Sequence, residues 1–133
     1  MINILLEGFD IDAPWLYGEL KNYIKPNHSV AVVAFSFRDN RVKSLSDWDA
    51  LYGKANGKYH DGIVGGFTAY GIPADKITFI NYFTDTKETA AQKIKEADII
   101  YFLGGLPDRM MDRIKEFDLY DVLMQHDGIL MGY

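Results

Sequence analysis

The sequence contains no cysteine. That excludes disulfides, thiolate metal sites and a cysteine nucleophile together, and it leaves the compartment open, with the cytosol as the default expectation. The amino terminus has no basic segment leading into an apolar core and a cleavage site, so no secretory signal is expected. No apolar run approaches the ~20 residues that a bilayer span requires. Positive charge is scarce too. Lys and Arg number 14 against 19 Asp and Glu, a net charge of −5, and no Lys/Arg cluster supplies the basic face that nucleic-acid binding uses. Neither a nucleic acid nor a membrane is therefore an expected partner. No Gly-x-Gly-x-x-Gly follows the first apolar run and there is no P-loop lysine, so the phosphate-cradling glycines of nucleotide-binding folds are missing. His28, His60 and His126 lie far apart and none is at motif spacing from a serine, so each is expected at the surface. Without His-x-x-x-His or a carboxylate cluster, neither a metal nor another cofactor is expected.

What is present is an ordinary globular balance, with 48% apolar and 25% charged residues in 133, enough for one domain with a buried core. Five largely apolar runs, at residues 2–6, 30–35, 77–80, 99–103 and 129–131, read as strands, and the five consecutive apolar residues Ile99 to Leu103, with two β-branched residues and a tyrosine, suit a strand covered on both faces. Helical spacing fills the gaps. Asp12 is placed as an N-cap with Pro14 in the first turn, and Leu16, Leu20, Tyr23 and Ile24 follow until Pro26. Ser46 with Asp49 has the capping-box pattern, and so has Asp85 with Glu88. Trp48, Leu51, Tyr52, Tyr59, Ile63, Phe67 and Tyr70 keep helical spacing, but Gly53, Gly57, Gly62, Gly65 and Gly66 predict a broken helix. These aromatics are expected in the core rather than on a base-stacking platform. Met110, Met111, Ile114 and Phe117 line a later helix face, which resumes at Leu119, Val122 and Leu123 after a break near Asp118. Strands alternating with crossover-length helices predict a parallel sheet with helices on both faces.

Two stretches carry possible chemistry. The strand at 99–103 runs into Gly104-Gly105-Leu106-Pro107. The glycines permit a sharp turn and close approach of a ligand to the backbone, and Pro107 is preset for a first helical turn. Free N–H groups there suit a bound anion or a developing oxyanion. The polar loop at 36–45, with Arg38, Asp39, Asn40 and Arg41, leaves a strand's carboxyl end. It either borders a site or is an ordinary solvated turn.

Ala97-Asp98-Ile99-Ile100-Tyr101-Phe102-Leu103-Gly104-Gly105 and Gly128-Ile129-Leu130-Met131-Gly132-Tyr133 together resemble the dipeptidase E and cyanophycinase family of serine peptidases, and the resemblance extends over essentially all 133 residues. It implies a flavodoxin-like three-layer α/β/α fold with a mostly parallel sheet, related to class I glutamine amidotransferases and incomplete at the carboxyl end. It implies an oxyanion hole at Gly104 and Gly105. It also implies a Gly-x-Ser-Ala-Gly nucleophile elbow in which Gly132 is the first glycine, Tyr133 the x, and the serine comes next, lifted above the sheet edge by a strand–turn–helix corner. The catalytic His and its acidic partner belong to later strands in that family. The resemblance thus implies a small-peptide substrate for the full-length enzymes, and a 133-residue chain that holds no nucleophile or base and is inactive alone. Leu106 stands where aspartyl dipeptidases of the family have Asn, which points away from Asp-X dipeptides. The alternatives are a non-catalytic α/β module that binds a ligand or partner, and a flavodoxin, against which the hydroxyl-free turn at residues 7–10 speaks. If residues 128–133 lose their neighbours, they leave an open apolar edge, and self-association through that edge is expected.

Overall fold

Five four-residue strands form the centre of the computed structural model, which describes residues 1–8 and 10–133. Phe9, within the turn just weighed against a flavin-binding loop, lies outside the described residues. The strands are β1 (Ile2–Leu5), β2 (Val30–Val33), β3 (Ile77–Ile80), β4 (Ile99–Phe102) and β5 (Ile129–Gly132). All pair in parallel, in the order β1-β5-β4-β2-β3. All five expected strands are present, and the sheet is wholly rather than mostly parallel.

Because side chains alternate along a strand, β2 feeds two cores. Val30 and Val32 join one cluster with Leu20, Trp48, Tyr52, Ile63 and Phe67. Ala31 and Val33 join the other with Ile94, Ile114, Phe117 and Leu123. The helices α1 (Pro14–Leu20), α2 (Leu45–Tyr52) and α3 (His60–Thr68) supply the first layer, and α4 (Lys87–Glu96), α5 (Pro107–Glu116) and α6 (Tyr120–Met124) the second. Right-handed crossovers explain this division. The chain travels one way across the sheet from β1 to β2 to β3, and back from β3 to β4 to β5, so the connecting helices change face when the direction reverses. Among the described residues no helix is long and apolar enough to cross a membrane.

The helix starts differ in detail from the sequence reading. Ala13, not Asp12, precedes α1, with no side-chain cap, and the helix ends at Leu20. Ser44 caps α2 by accepting from the Asp47 N–H. Ser44-x-x-Asp47 satisfies the same pattern as Ser46-x-x-Asp49, and the start falls one half-turn earlier. Thr86 and Thr89 form the capping box of α4. Asp85 instead pairs with Lys93 at 2.8 Å and receives the Asn81 N–H. The glycine-rich stretch does break, between α2 and α3, and Asp118, at φ 55°, separates α5 from α6.

Two expectations are overturned. His126 is buried rather than at the surface. Its Nε2–H donates to the Ala97 carbonyl at 2.7 Å and its Nδ1 accepts the Gly128 N–H at 3.2 Å, which assigns the tautomer and ties the entrance of β5 to the end of α4. His60 is half-buried, its ring stacked on Phe79. Second, residues 128–133 do not form an open edge. β5 lies between β1 and β4, both ladders are filled, and Ile129 and Met131 are buried. The open edges are β1 and β3. Leu5, on β1, is 92% exposed and Trp15 beside it 78%. An edge pairing through β5 is therefore unavailable for self-association.

Candidate functional site

The connection leaving β2 goes to α2 on one face, and the connection leaving the adjacent β4 goes to α5 on the other. Neighbouring loops that part in this way open a crevice at the carboxyl edge, where ligands of open α/β sheets bind. The Gly104-Gly105 turn lies there. Gly105 has φ +145°, and a Cβ on it would sit 2.6 Å from the Ser36 carbonyl oxygen, so both conformation and space demand glycine. Ser36 holds the turn from the other side. Its Oγ lies 2.9 Å from the Leu103 carbonyl oxygen and 2.8 Å from that of Gly104, donating to one or the other, while its own carbonyl accepts the Leu106 N–H at 2.9 Å. Among the described residues the Gly105 N–H has no acceptor.

The other predicted pair arrives at the same place. Gly132 is in register with Phe102 on β4, and a Cβ there would be 3.0 Å from the Phe102 carbonyl oxygen. Tyr133 follows, with its ring against Gly104: a Cβ on Gly104 would fall 2.3 Å from Tyr133 Cε2. All four residues singled out from the sequence, Gly104, Gly105, Gly132 and Tyr133, thus meet at one point on the carboxyl edge.

A cleft of ≈ 470 Å³ opens beside them, lined by Tyr52, Lys58, Tyr59, Ile63, Leu103 and Tyr133 among others. It continues into a hollow of ≈ 370 Å³ that shares Tyr52, Lys58, Tyr59 and Gly104 and adds Gly105 together with Ser36, Arg38, Arg41 and Asp47. The 36–45 loop therefore does border the crevice. Arg38, Arg41 and Lys58 have no ion-pair partner among the described residues. The acid in the hollow, Asp47, already accepts the Lys43 N–H at 2.9 Å.

Burial raises the Tyr52 hydroxyl to about 12, with Tyr133 and Tyr59 adding to the rise and Arg113 opposing it. Burial also raises Tyr133, against the lowering effect of a hydrogen bond from the Gly104 backbone. At neutral pH these phenols are uncharged, so the nearby cations are not neutralised by them. Outside the cleft, burial raises Tyr70, whose hydroxyl donates to the Ile11 carbonyl, likewise to about 12. The consequence is a stability that depends on alkaline pH. With unfolded tyrosines at about 10, the folded state keeps protons that the unfolded state releases, so this stability is full below pH 10 and is lost as pH rises through 12. Urea midpoints measured from pH 8 to 12 should fall only above 10, and Tyr70→Phe should flatten that decline.

Sequence reasoning missed Arg113. It sits in α5 among Asp, Arg, Lys and Glu and looks like part of a solvated face, yet it is 5% exposed. Its Nη1 donates to the carbonyls of Phe35 at 2.6 Å and Phe37 at 2.8 Å, its Nη2 pairs with Asp39, and its guanidinium stacks over the Phe37 ring at 3.7 Å. The two carbonyls flank Ser36, so α5 clamps the loop that clamps Gly105. Ser36 had no local signal either. Among the described residues no three His, Asp or Glu side chains converge as a metal site would require.

No family profile matches the chain, and no curated protein matches it. Among solved structures it is similar to one described as "a Putative Peptidase E Protein from Listeria monocytogenes EGD-e", with a TM-score of 0.68 and 14% sequence identity. The superposition covers 98% of this chain and 56% of that one, so the chain spans little more than half the length of its structural neighbour. At this identity the likeness establishes the three-layer α/β/α fold.

Proposed function

We propose that this chain supplies the amino-terminal part of a peptidase E-like serine hydrolase that acts on small peptides. In this reading the Gly105 N–H, with Gly104 beside it, stabilises the oxyanion of a tetrahedral intermediate, and Gly132-Tyr133 begin the elbow whose next residue is the nucleophile. The general base and its orienting acid lie further along the polypeptide. The observation that carries the proposal is the meeting of the Gly104-Gly105 turn with Tyr133, two stretches distant in sequence, beside a cleft at the carboxyl edge. Arg38, Arg41 and Lys58, without ion-pair partners among the described residues, suit the free carboxylate that every short peptide bears.

Purified as 133 residues, the chain is expected neither to hydrolyse dipeptides nor to be labelled by a serine-directed phosphonate. A polypeptide extended through the codons that follow Tyr133 is expected to react, and an alanine in place of the following serine to abolish labelling. Turnover by the 133-residue chain that persists through repurification would show that the nucleophile has been misplaced. The second reading is a non-catalytic α/β module that binds a small ligand. What favours it is that the cleft is lined by this chain's own residues. A serine-free continuation, with ligand binding retained, would decide for it.

A further inference from the structure

The cleft beside Gly105 has two chemically different halves. Tyr52, Tyr59 and Tyr133 converge with Ile63 and Leu103 in the larger hollow, and the Tyr52 and Tyr59 ring centroids lie 6.4 Å apart. At that separation the Tyr52 and Tyr59 rings pack on each other, so what they and Tyr133 present to the hollow is a wall of aromatic edges and faces, the surroundings another ring prefers. The adjoining hollow carries Arg38, Arg41 and Lys58 against one acid, Asp47, which is engaged by a backbone N–H. Three cations at the rim of a cleft, without ion-pair partners among the described residues, in a chain of net charge −5, are a local reversal of the molecule's overall charge, and such a rim draws and orients an anion. Lys58 and Tyr59 belong to both halves, so the apolar slot and the cationic rim are adjacent.

We propose that this cleft binds short peptides whose terminal residue is aromatic: the ring lies among Tyr52, Tyr59 and Tyr133, and the terminal carboxylate is held by Arg38, Arg41 and Lys58. This deepens the hydrolase reading and rests on it for the ligand's being a substrate, but the binding itself requires no nucleophile. An acidic side chain fits the larger hollow less well than a ring, because apart from Lys58 its wall is rings, aliphatic groups and glycine backbone.

The test is titration of the 133-residue chain, followed by backbone amide spectra and calorimetry, with N-acetyl-L-phenylalanine, its carboxamide, N-acetyl-L-alanine and N-acetyl-L-aspartate. The phenylalanine acid is expected to bind at least about tenfold more tightly than each of the others, and to shift the amides of Tyr52, Tyr59, Gly104 and Gly105. The double variant Arg41→Met, Lys58→Met, which leaves Arg38 in place, should sharply reduce the preference for acid over carboxamide and weaken the acid more than the carboxamide. Tyr59→Ala should weaken acid and carboxamide together. Arg41, Lys58 and Tyr59 are all exposed, so unchanged spectra of the free variants are expected and are checked first. Equal binding of acid and carboxamide, tighter binding of the aspartate compound, or no saturable shift at those amides would each overturn the proposal. The outcomes separate from those of the hydrolase assay. An inert extended polypeptide that still prefers the phenylalanine acid leaves this inference standing alone, and a phosphonate-reactive one that prefers aspartate leaves only the hydrolase reading.

Discussion

Replacing Gly105 by alanine is expected to cost about 3 kcal/mol or more, because two independent penalties coincide. A φ of +145° lies where only glycine is comfortable, and the new Cβ would stand 2.6 Å from a backbone carbonyl that cannot rotate away. Backbone strain of this type costs on the order of 1–3 kcal/mol, and overpacking against fixed atoms adds to it. Relief would have to come from moving the Ser36 loop or the start of α5, and either movement displaces the amides that would face a ligand. Urea denaturation provides the measure, and the other glycines provide the control. Gly62 and Gly65 lie within α3 with nothing within 4 Å of an added Cβ. Gly65→Ala should therefore stabilise by about 0.5–1 kcal/mol through helix propensity and a less flexible unfolded chain. If Gly105→Ala were as well tolerated as Gly65→Ala, the tight turn would not exist in solution.

The second large effect belongs to Arg113. Arg113→Met keeps the aliphatic volume and removes the fork, leaving the Phe35 and Phe37 carbonyls without their donor. A buried polar group stripped of its partner costs roughly 1–3 kcal/mol. With two carbonyls and the stacking on Phe37 lost, about 3–5 kcal/mol is expected, read as a lower urea midpoint at unchanged slope. The Asp39 ion pair contributes little to that sum. Asp39 is 65% exposed at its side chain, and a solvated pair is worth about 0–1 kcal/mol. Asp39→Asn should accordingly cost less than a third as much as Arg113→Met, and 0.5 M salt should leave the Arg113→Met deficit nearly unchanged. Arg113→Lys should recover only a minor part, since an ammonium cannot reach two carbonyls and stack on a ring from one position. A deficit that disappears in salt would reassign the effect to the ion pair.

Much of the architecture was legible without coordinates. Each strand is a short, mostly apolar run, and that information is local, so all five were placed within a residue or two. The Gly104-Gly105 turn was legible for the same reason: two glycines after a buried strand, with proline opening a helix, are a backbone instruction written in consecutive residues. Even the meeting of that turn with Tyr133 follows from two strand ends facing one sheet edge. The cap positions were read less well because Ser44 and Ser46, or Thr86 and Asp85, offer nearly equivalent patterns. Sequence alone does not rank hydrogen bonds of similar strength.

What the sequence determined by itself was the alternation of elements, the parallel sheet that alternation requires, and the glycines that the turn at its carboxyl edge cannot do without. Strand order was decided by tertiary structure. β5 is enclosed between β1 and β4 because the first strand pairs with the last, and nothing within residues 128–133 encodes that partner. The support of the site was decided there as well. Ser36 reaches Gly104 across 68 positions and Arg113 reaches Phe35 across 78, so neither contact leaves a trace in local pattern. Arg113 looks solvated in its own helix and is buried only because β2's loop folds over it. The crevice follows from the reversal of crossover direction between β2 and β4, a property of the whole sheet, and with it the company that Arg38, Arg41 and Lys58 keep with Tyr52 and Tyr59.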